Sequence, residues 1–285
     1  MRALVTGVCV SEFGWELLEW QGYLRSISSS FAKIVISSTD GLFPLYADMH
    51  PIFIPHRICG SRDCHRLRSG TIKNPDELVR VRGEIDKVVK QLSFEGYKVK
   101  QISAGARYPI ASQKFVRYGC AQNIASYDRF AIVIHARNCQ ENHPFGGSNY
   151  PEELWDVLIA QMYRRLGGVT IAAIGTKEAS LAPRGVADYR GVPLMEVMDL
   201  MASAKLVIGP SSGPMHLASL CGTPHVVWCT DKNQPAIANT NYKRYTSAWN
   251  PFGTPVEVVL HRKGVPPSPN QLVEAIVRMS RIRGI

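Results

Sequence analysis

The sequence predicts an α/β protein built as two parallel-sheet domains facing each other across a cleft. Three observations carry this. Apolar runs of strand length alternate with amphipathic helical segments, the order that yields parallel sheets covered on both faces. At 285 residues the chain exceeds one ordinary domain and suits two of about 100–200 residues each. The alternation also restarts at "RFAIVIHAR", after an ambiguous stretch from Tyr108 to Tyr127 that suits a hinge. The expected division is residues 1–125, residues 126–265, and a closing segment 266–285 that returns to the first domain.

In the first half, "RALVTGVCV" reads as a strand, Glu16 to Ser28 as a helix with Leu17, Trp20 and Leu24 inward, and "KIVISS" as a strand. Asp40 to Asn74 reads as loops. A helix follows from Pro75 to Leu92, with Leu78, Val81, Ile85, Val88 and Leu92 at helical intervals. Pro75 suits its first turn and Asn74 its cap. In the second half the predicted order is strand "RFAIVIHAR", helix "SNYPEELWDVLIAQMYRRL" with Ser148 or Asn149 near its cap, strand "VTIAAIG" and helix "PLMEVMDLMASA". Strand "KLVIGPSS", helix "GPMHLASLC", strand "PHVVWCT" and a final helix "SPNQLVEAIVRMSRI" complete it.

Composition narrows the class. Hydrophobic residues at 45% with 20% charged describe a folded chain. The longest apolar runs fall far short of the roughly 20 residues of a membrane span. The first residues read as a strand and not as a leader, so a cytoplasmic location is expected. Seven scattered cysteines suit free thiols in a reducing compartment. The net charge of +10 is uneven: residues 1–55 carry −2, residues 56–117 carry +8 and residues 118–285 carry +4. The middle stretch favours an anionic partner such as nucleic acid, a phosphorylated glycan or an acidic membrane surface; a merely solvated face is the plainer alternative.

The segment "VIGPSSGPMHLASLCGTPHVVW" carries the most chemistry. A strand ending in Ser211-Ser212-Gly213 and restarting as a helix at Pro214 leaves the helix's first amides unpaired, where an anion is the natural partner. A tight turn of small residues is the plainer reading. The chain contains neither a G-x-x-x-x-G-K-[ST] nor a G-x-G-x-x-G motif.

These residues resemble the carboxyl-terminal donor motif of the heptosyltransferase-like (family 9) glycosyltransferases. Ser212, Gly213, His216, Leu217, Gly222 and Pro224 match it, while Ser211 stands where that family usually has an aspartate. The similarity extends to "VIHARNCQENHPFGGSNYPEELWDVL" and "IAAIGTKEAS". The resemblance implies the GT-B fold, two Rossmann-like domains facing across a cleft, with an acceptor domain first and a nucleotide-sugar domain second. It implies that Arg137 reaches the donor diphosphate and that Gly175 and Thr176 lie beside the nucleoside. Lys177 is a possible second cation. Ser211, Ser212, Gly213 and His216 complete the implied donor set.

"SEFGWELLEWQGYLRSI" occupies the position of the family's first strand-to-helix loop, and Gly14 and Leu24-Arg25 fit its outline. The acidic residue expected directly after the glycine is Trp15 here. The nearest carboxylates are Glu12 and Glu16, and either could take the acceptor proton. Glu16 is preferred, its pKa raised by burial beside Trp15; a carboxylate that only complements the helix dipole is the alternative. Trp15 could stack on a sugar or a base. Residues 50–70 gather His50, His56, Cys59, Cys64 and His65, but their spacing fits no common zinc class, and no metal is expected. Arg57, Arg62, Arg66 and Arg68 there are candidates for gripping acceptor phosphates.

The sequence reading is therefore a metal-independent GT-B glycosyltransferase with a nucleotide diphosphate sugar as donor substrate and no cofactor. The acceptor leans to DNA with a hydroxymethylated base, as in phage-type DNA glycosylation. A phosphorylated cell-envelope saccharide is the alternative acceptor. A nucleotide-sugar epimerase on the same fold and a non-catalytic nucleic-acid-binding protein are alternatives of other classes.

Overall fold

The computed structural model describes residues 1–58, 74–103, 112–119, 130–138, 149–231, 241–262 and 264–283. It divides into two compact units, Met1–Phe115 and Val116–Ile285. The boundary expected after residue 125 falls outside the described residues.

The first unit holds a parallel sheet of β1 (Arg2–Val8), β2 (Lys33–Thr39), β3 (Ile52–His56) and β4 (Lys98–Ile102), in the order β3-β2-β1-β4. The central strand β1 buries Ala3, Leu4 and Val5 completely, as an inner strand covered on both faces requires. Behind β1 the chain enters helix at α1 (Phe13–Trp15), widens into a π-helical segment (Glu16–Trp20) and continues as α2 (Gln21–Ser28). The helix thus starts three residues earlier than expected. The inward placing of Leu17, Trp20 and Leu24 holds, each at most 2% exposed. Helix α3 (Pro75–Phe94) packs Val81, Ile85 and Leu92 on the sheet. Asn74 does not cap it: its side-chain amide donates to the Arg57 carbonyl at 2.8 Å.

The second unit holds a six-stranded parallel sheet in the order β12-β11-β10-β5-β7-β9. The strands are β5 (Ile132–Ile134), β7 (Ile171–Ala173), β9 (Ala187–Asp188), β10 (Leu206–Pro210), β11 (His225–Asp231) and β12 (Val256–Arg262). A short antiparallel pair, β6 (Ala136–Arg137) with β8 (Ser180–Leu181), sits beyond the end of β5. The longer helices are α4 (Glu152–Leu166), α5 (Leu194–Ser203), α6 (Gly213–Cys221) and α7 (Pro269–Arg283), and a short π-helical segment, Arg244–Ala248, carries Tyr245. Pro151 stands at the cap of α4, two residues after Asn149, and Ser148 lies outside the described residues. Tyr150, Trp155 and Trp228 meet with all three ring centroids 5.4 Å apart and anchor the core of this unit. Leu272, Val273, Ala275, Ile276 and Met279 of α7 belong to that same core, so the last helix is built into the second unit.

Five strands go beyond the sequence expectation: β3 inside the stretch read as loops, β4, β12, and the two-residue β8 and β9. All five lie at sheet edges. Edge strands are half solvated and lack a continuous apolar run. Pro55 in β3, which would break an inner strand, is tolerated there.

Candidate active site

In the second sheet the chain runs from β5 outward to β7 and β9, then returns to place β10 on the other side of β5. The strand order therefore reverses between β5 and β10, and the crevice outside their carboxyl ends is where open α/β sheets take ligands. Gly209 in β10 makes the approach close: a Cβ there would lie 3.0 Å from the His135 carbonyl oxygen and from Met215 Sδ.

Helix α6 begins in this crevice. Ser212 stands at its cap with extended backbone, φ −166° and ψ 169°, and makes no side-chain capping bond. The amides of Met215 and His216 turn back to the Ser212 carbonyl at 3.0 and 3.4 Å. Pro214 has no amide hydrogen to satisfy. The amides of Ser212 and Gly213 have no acceptor among the described residues. Two donors at the positive end of a nine-residue helix thus face the crevice without a partner.

The Ser212 hydroxyl is turned the other way. Its Oγ lies 2.9 Å from the Pro210 carbonyl and 2.9 Å from His135 Nδ1. A carbonyl can only accept, so the hydroxyl hydrogen goes to Pro210 and His135 carries its proton on Nδ1. Burial, helped by the nearby Arg137 charge, pushes the His135 pKa down to about 3, so the ring is neutral. Arg137 follows two residues later in β6, half-buried and in register with Ser180. It has no carboxylate partner among the described residues.

The other expected donor residues divide. Gly175 has φ 128°, and a Cβ there would collide with Ser180 Oγ, so glycine is required. Thr176 Oγ1 is buried without a partner among the described residues. Lys177 is exposed, packs its stem on Gly191 and contributes its charge to the lowered pKa of Asp188. Ser211 and His216 turn into the protein. Ser211 Oγ pairs with Tyr245 OH at 2.8 Å. His216 stacks on Tyr245 at 5.2 Å and meets the Trp249 edge at 4.5 Å. Burial first, then the neighbouring His225 and Arg244, hold His216 at about 3. The His216 ring is thus a neutral part of an aromatic cluster.

In the first unit, Glu12 is half-buried at the start of α1, and its carbonyl accepts the amides of Trp15 and Glu16 at 3.0 Å each. Trp15 is half-buried beside it. Glu16, expected to face a cleft, is 0% exposed. Its Oε1 accepts the hydroxyls of Ser38 and Tyr46, and its Oε2 is buried without a partner among the described residues. Burial raises its pKa to about 7 against the lowering effect of those two bonds. The upward shift agrees with the expectation, but the carboxyl is sealed inside the unit.

Arg57 is engaged by Asp40, with Nε and Nη2 both 3.0 Å from Oδ2. Arg62, Arg66 and Arg68 lie outside the described residues, as do Cys59, Cys64 and His65. His56 is buried with Nε2 2.7 Å from the Cys9 carbonyl. No group of three or more metal-ligating side chains occurs among the described residues. Cys9, Cys221 and Cys229 are buried.

Residues 174–243 match the family model of glycosyltransferase family 9 (heptosyltransferase). That segment contains the Gly175–Lys177 turn, β10, the Ser212–Gly213 turn and α6. Whole-chain similarity to solved structures agrees. The E. coli ADP-heptose lps heptosyltransferase II is 13% identical with a TM-score of 0.59, covering 100% of each chain. A family 9 glycosyltransferase from Veillonella parvula is 14% identical with a TM-score of 0.60, covering 98% of this chain and 96% of its own. The E. coli heptosyltransferase WaaC with ADP is 14% identical with a TM-score of 0.57, covering 99% and 100%. The chain has the GT-B fold of those structures. No curated protein matches it in sequence. No helix among the described residues is long and apolar enough to cross a membrane.

On this GT-B frame, His135 and Tyr245 are the site residues that sequence reasoning missed. The available signal for His135 was a single polar residue closing the apolar run "AIVIHA". Its partner Ser212 lies 77 residues further on, beyond the reach of local pattern.

Proposed function

We propose that this protein is a glycosyltransferase that moves a sugar from a nucleotide diphosphate sugar to an acceptor hydroxyl. The observation that carries the reading is the uncapped start of α6 at the crevice between β5 and β10, with Arg137 nearby and without a carboxylate partner among the described residues. The diphosphate docks on the Ser212 and Gly213 amides. Its growing negative charge on bond cleavage is met by those amides and by the Arg137 guanidinium, fixed donors that need no rearrangement. Thr176 and Gly175 line the nucleoside side. The ADP complex of a fold relative makes ADP the natural first probe.

For the acceptor proton the partly exposed Glu12 is favoured over Glu16. A general base must touch the attacking hydroxyl, and both Glu16 oxygens are inside the unit, one of them holding two donors. Glu16 instead ties the first loop to the end of β2 and the Tyr46 turn.

The acceptor favoured here is a phosphorylated cell-envelope saccharide, in line with the family match. The family match lends no support to a DNA acceptor, and Arg57, a candidate for either kind of acceptor phosphate, is engaged by Asp40. The deciding experiment incubates the protein with a panel of nucleotide sugars, with phosphorylated saccharides or hydroxymethylated DNA, with and without chelator. Mass spectrometry reads every product. A sugar-bearing saccharide is the expected product. A glycosylated DNA moves the acceptor to the alternative, and an isomerised donor without acceptor identifies an epimerase. Loss of product with chelator would show that a metal shares the charge. Glu12→Gln is expected to cut turnover at least a hundredfold, with Glu16→Gln retaining most of it.

A further inference from the structure

We propose that His135 is a positioning residue that keeps the amino end of α6 open for its anion. The inference rests on the donor reading above and explains why Ser212 does not cap its own helix. A serine at a helix cap ordinarily turns its oxygen onto an amide two or three residues ahead. Pro214 offers no such amide, so Met215 is the candidate. Here the Ser212 hydroxyl is held instead on the strand side, between His135 Nδ1 and the Pro210 carbonyl at 2.9 Å each.

The parts of the clamp are held by strands on either side: His135 lies between β5 and β6, and Pro210 ends β10 two residues before Ser212. The His135 amide donates to the Ile208 carbonyl at 2.9 Å, and Gly209 lets the two backbones approach closely. A neutral ring with its proton on Nδ1 donates to Ser212 and leaves the hydroxyl hydrogen for Pro210. Without the His135 donor, one of the two restraints on the Ser212 oxygen is gone. The hydroxyl can then rotate over the helix start and compete with an incoming phosphate. Arg137 two residues away, which has no carboxylate partner among the described residues, is the independent sign that an anion is wanted at this place.

Two substitutions separate the donor from the bulk of the ring. His135→Asn places an amide N–H near the Nδ1 position, and His135→Gln places it near Nε2, away from Ser212. Binding of ADP and of inorganic pyrophosphate is measured by calorimetry on the full chain, with thermal melting as the check on folding. His135→Gln should weaken both ligands roughly tenfold, the scale of one helix-capping hydrogen bond. His135→Asn should stay within about twofold of the parent on the same scale. In a Ser212→Ala background, which has no hydroxyl to compete, the Asn and Gln substitutions should become equivalent. Equal binding by the Asn and Gln variants of the parent overturns the inference, as does an undiminished difference between them in the Ser212→Ala background. If the unsubstituted protein binds neither ADP, UDP, GDP nor pyrophosphate, the donor reading itself fails and takes the inference with it.

Discussion

Tyr46 donates its phenolic hydrogen to the carboxyl of Glu16 inside the first unit, where neither residue has any exposed surface. The bond ties the start of the π-helical segment to the turn after Leu45, and a second hydroxyl, from Ser38, reaches the same oxygen. The arrangement fixes the chain behind Glu12 and Trp15, so the loop that would meet an acceptor stands on a buried ionisable group.

This gives the first unit a pH-dependent stability. The Glu16 carboxyl titrates at about 7 when folded against an ordinary 4.5. The unfolded chain therefore releases this proton first. Stability is full below about pH 4.5, falls as pH rises towards 7, and levels off above it, a loss on the order of 3 kcal/mol. Hydrogen exchange of the β1 and β2 amides at pH 5 and pH 8 reads this directly. Glu16→Gln should flatten the response. Tyr46→Phe should cost about 1–2 kcal/mol more at pH 8 than at pH 5, because a charged carboxylate needs the lost donor more than a neutral acid does.

Arg25 makes a second buried anchor. It is 8% exposed and grips Asp48 through Nε at 2.7 Å and Nη2 at 2.9 Å. It also donates to the Leu45 carbonyl at 3.0 Å and to Gln21. The Leu24-Arg25 pair that fitted the family outline thus has a structural reason. Arg25→Ala should destabilise the first unit by about 2–3 kcal/mol, less than a fully buried pair because Asp48 is partly exposed. Arg25→Lys should recover little, since a single ammonium cannot replace the fork. Urea unfolding of the three proteins tests both statements.

Legibility in the sequence followed burial. The inner strands β1, β2, β5, β7, β10 and β11 were readable because strands covered on both faces demand uninterrupted apolar runs. The edges β3, β4 and β12 were not, because Lys98, Lys100, Pro55 and Glu257 interrupt them where one side meets water. At the site, the Ser212–Gly213 turn announced itself by small residues before a helix. What each side chain does there was not legible. Ser211 and His216 belong to the donor set that the family resemblance implies, yet Tyr245, arriving from outside the motif, draws both inward. Glu16 was legible as a carboxyl with a raised pKa. Its closure inside the unit depends on Ser38 and Tyr46, 22 and 30 residues away.

Gly209 is expected to be intolerant of any side chain. A Cβ would press on the His135 carbonyl and on Met215 Sδ, both at 3.0 Å. The carbonyl cannot move without shifting β5 against β10. Gly209→Ala should cost about 1–3 kcal/mol, the usual range for overpacking. Because the displaced residue carries the Ser212 clamp, ADP binding should weaken in the same variant. Calorimetric melting and an ADP titration of the same preparation show whether the two losses occur together.

Arg137 should behave in the opposite way, with function lost and stability kept. It lies in a two-residue strand held by backbone pairing to Ser180 and has no carboxylate partner among the described residues. Arg137→Ala therefore removes no ion pair, and its melting should shift by no more than about 0.5 kcal/mol permits. A charge needed only as the donor bond breaks shows chiefly in turnover, so kcat should fall about a hundredfold. The same change provides an internal check on the geometry. Part of what keeps His135 neutral is the Arg137 charge, with burial the larger cause. Removing that charge should move the His135 titration upward while leaving it below the ordinary histidine range, a shift that proton NMR of the imidazole can follow. A drop in melting temperature equal to that of Gly209→Ala, with the His135 titration unmoved, would show that Arg137 packs and does not serve the donor.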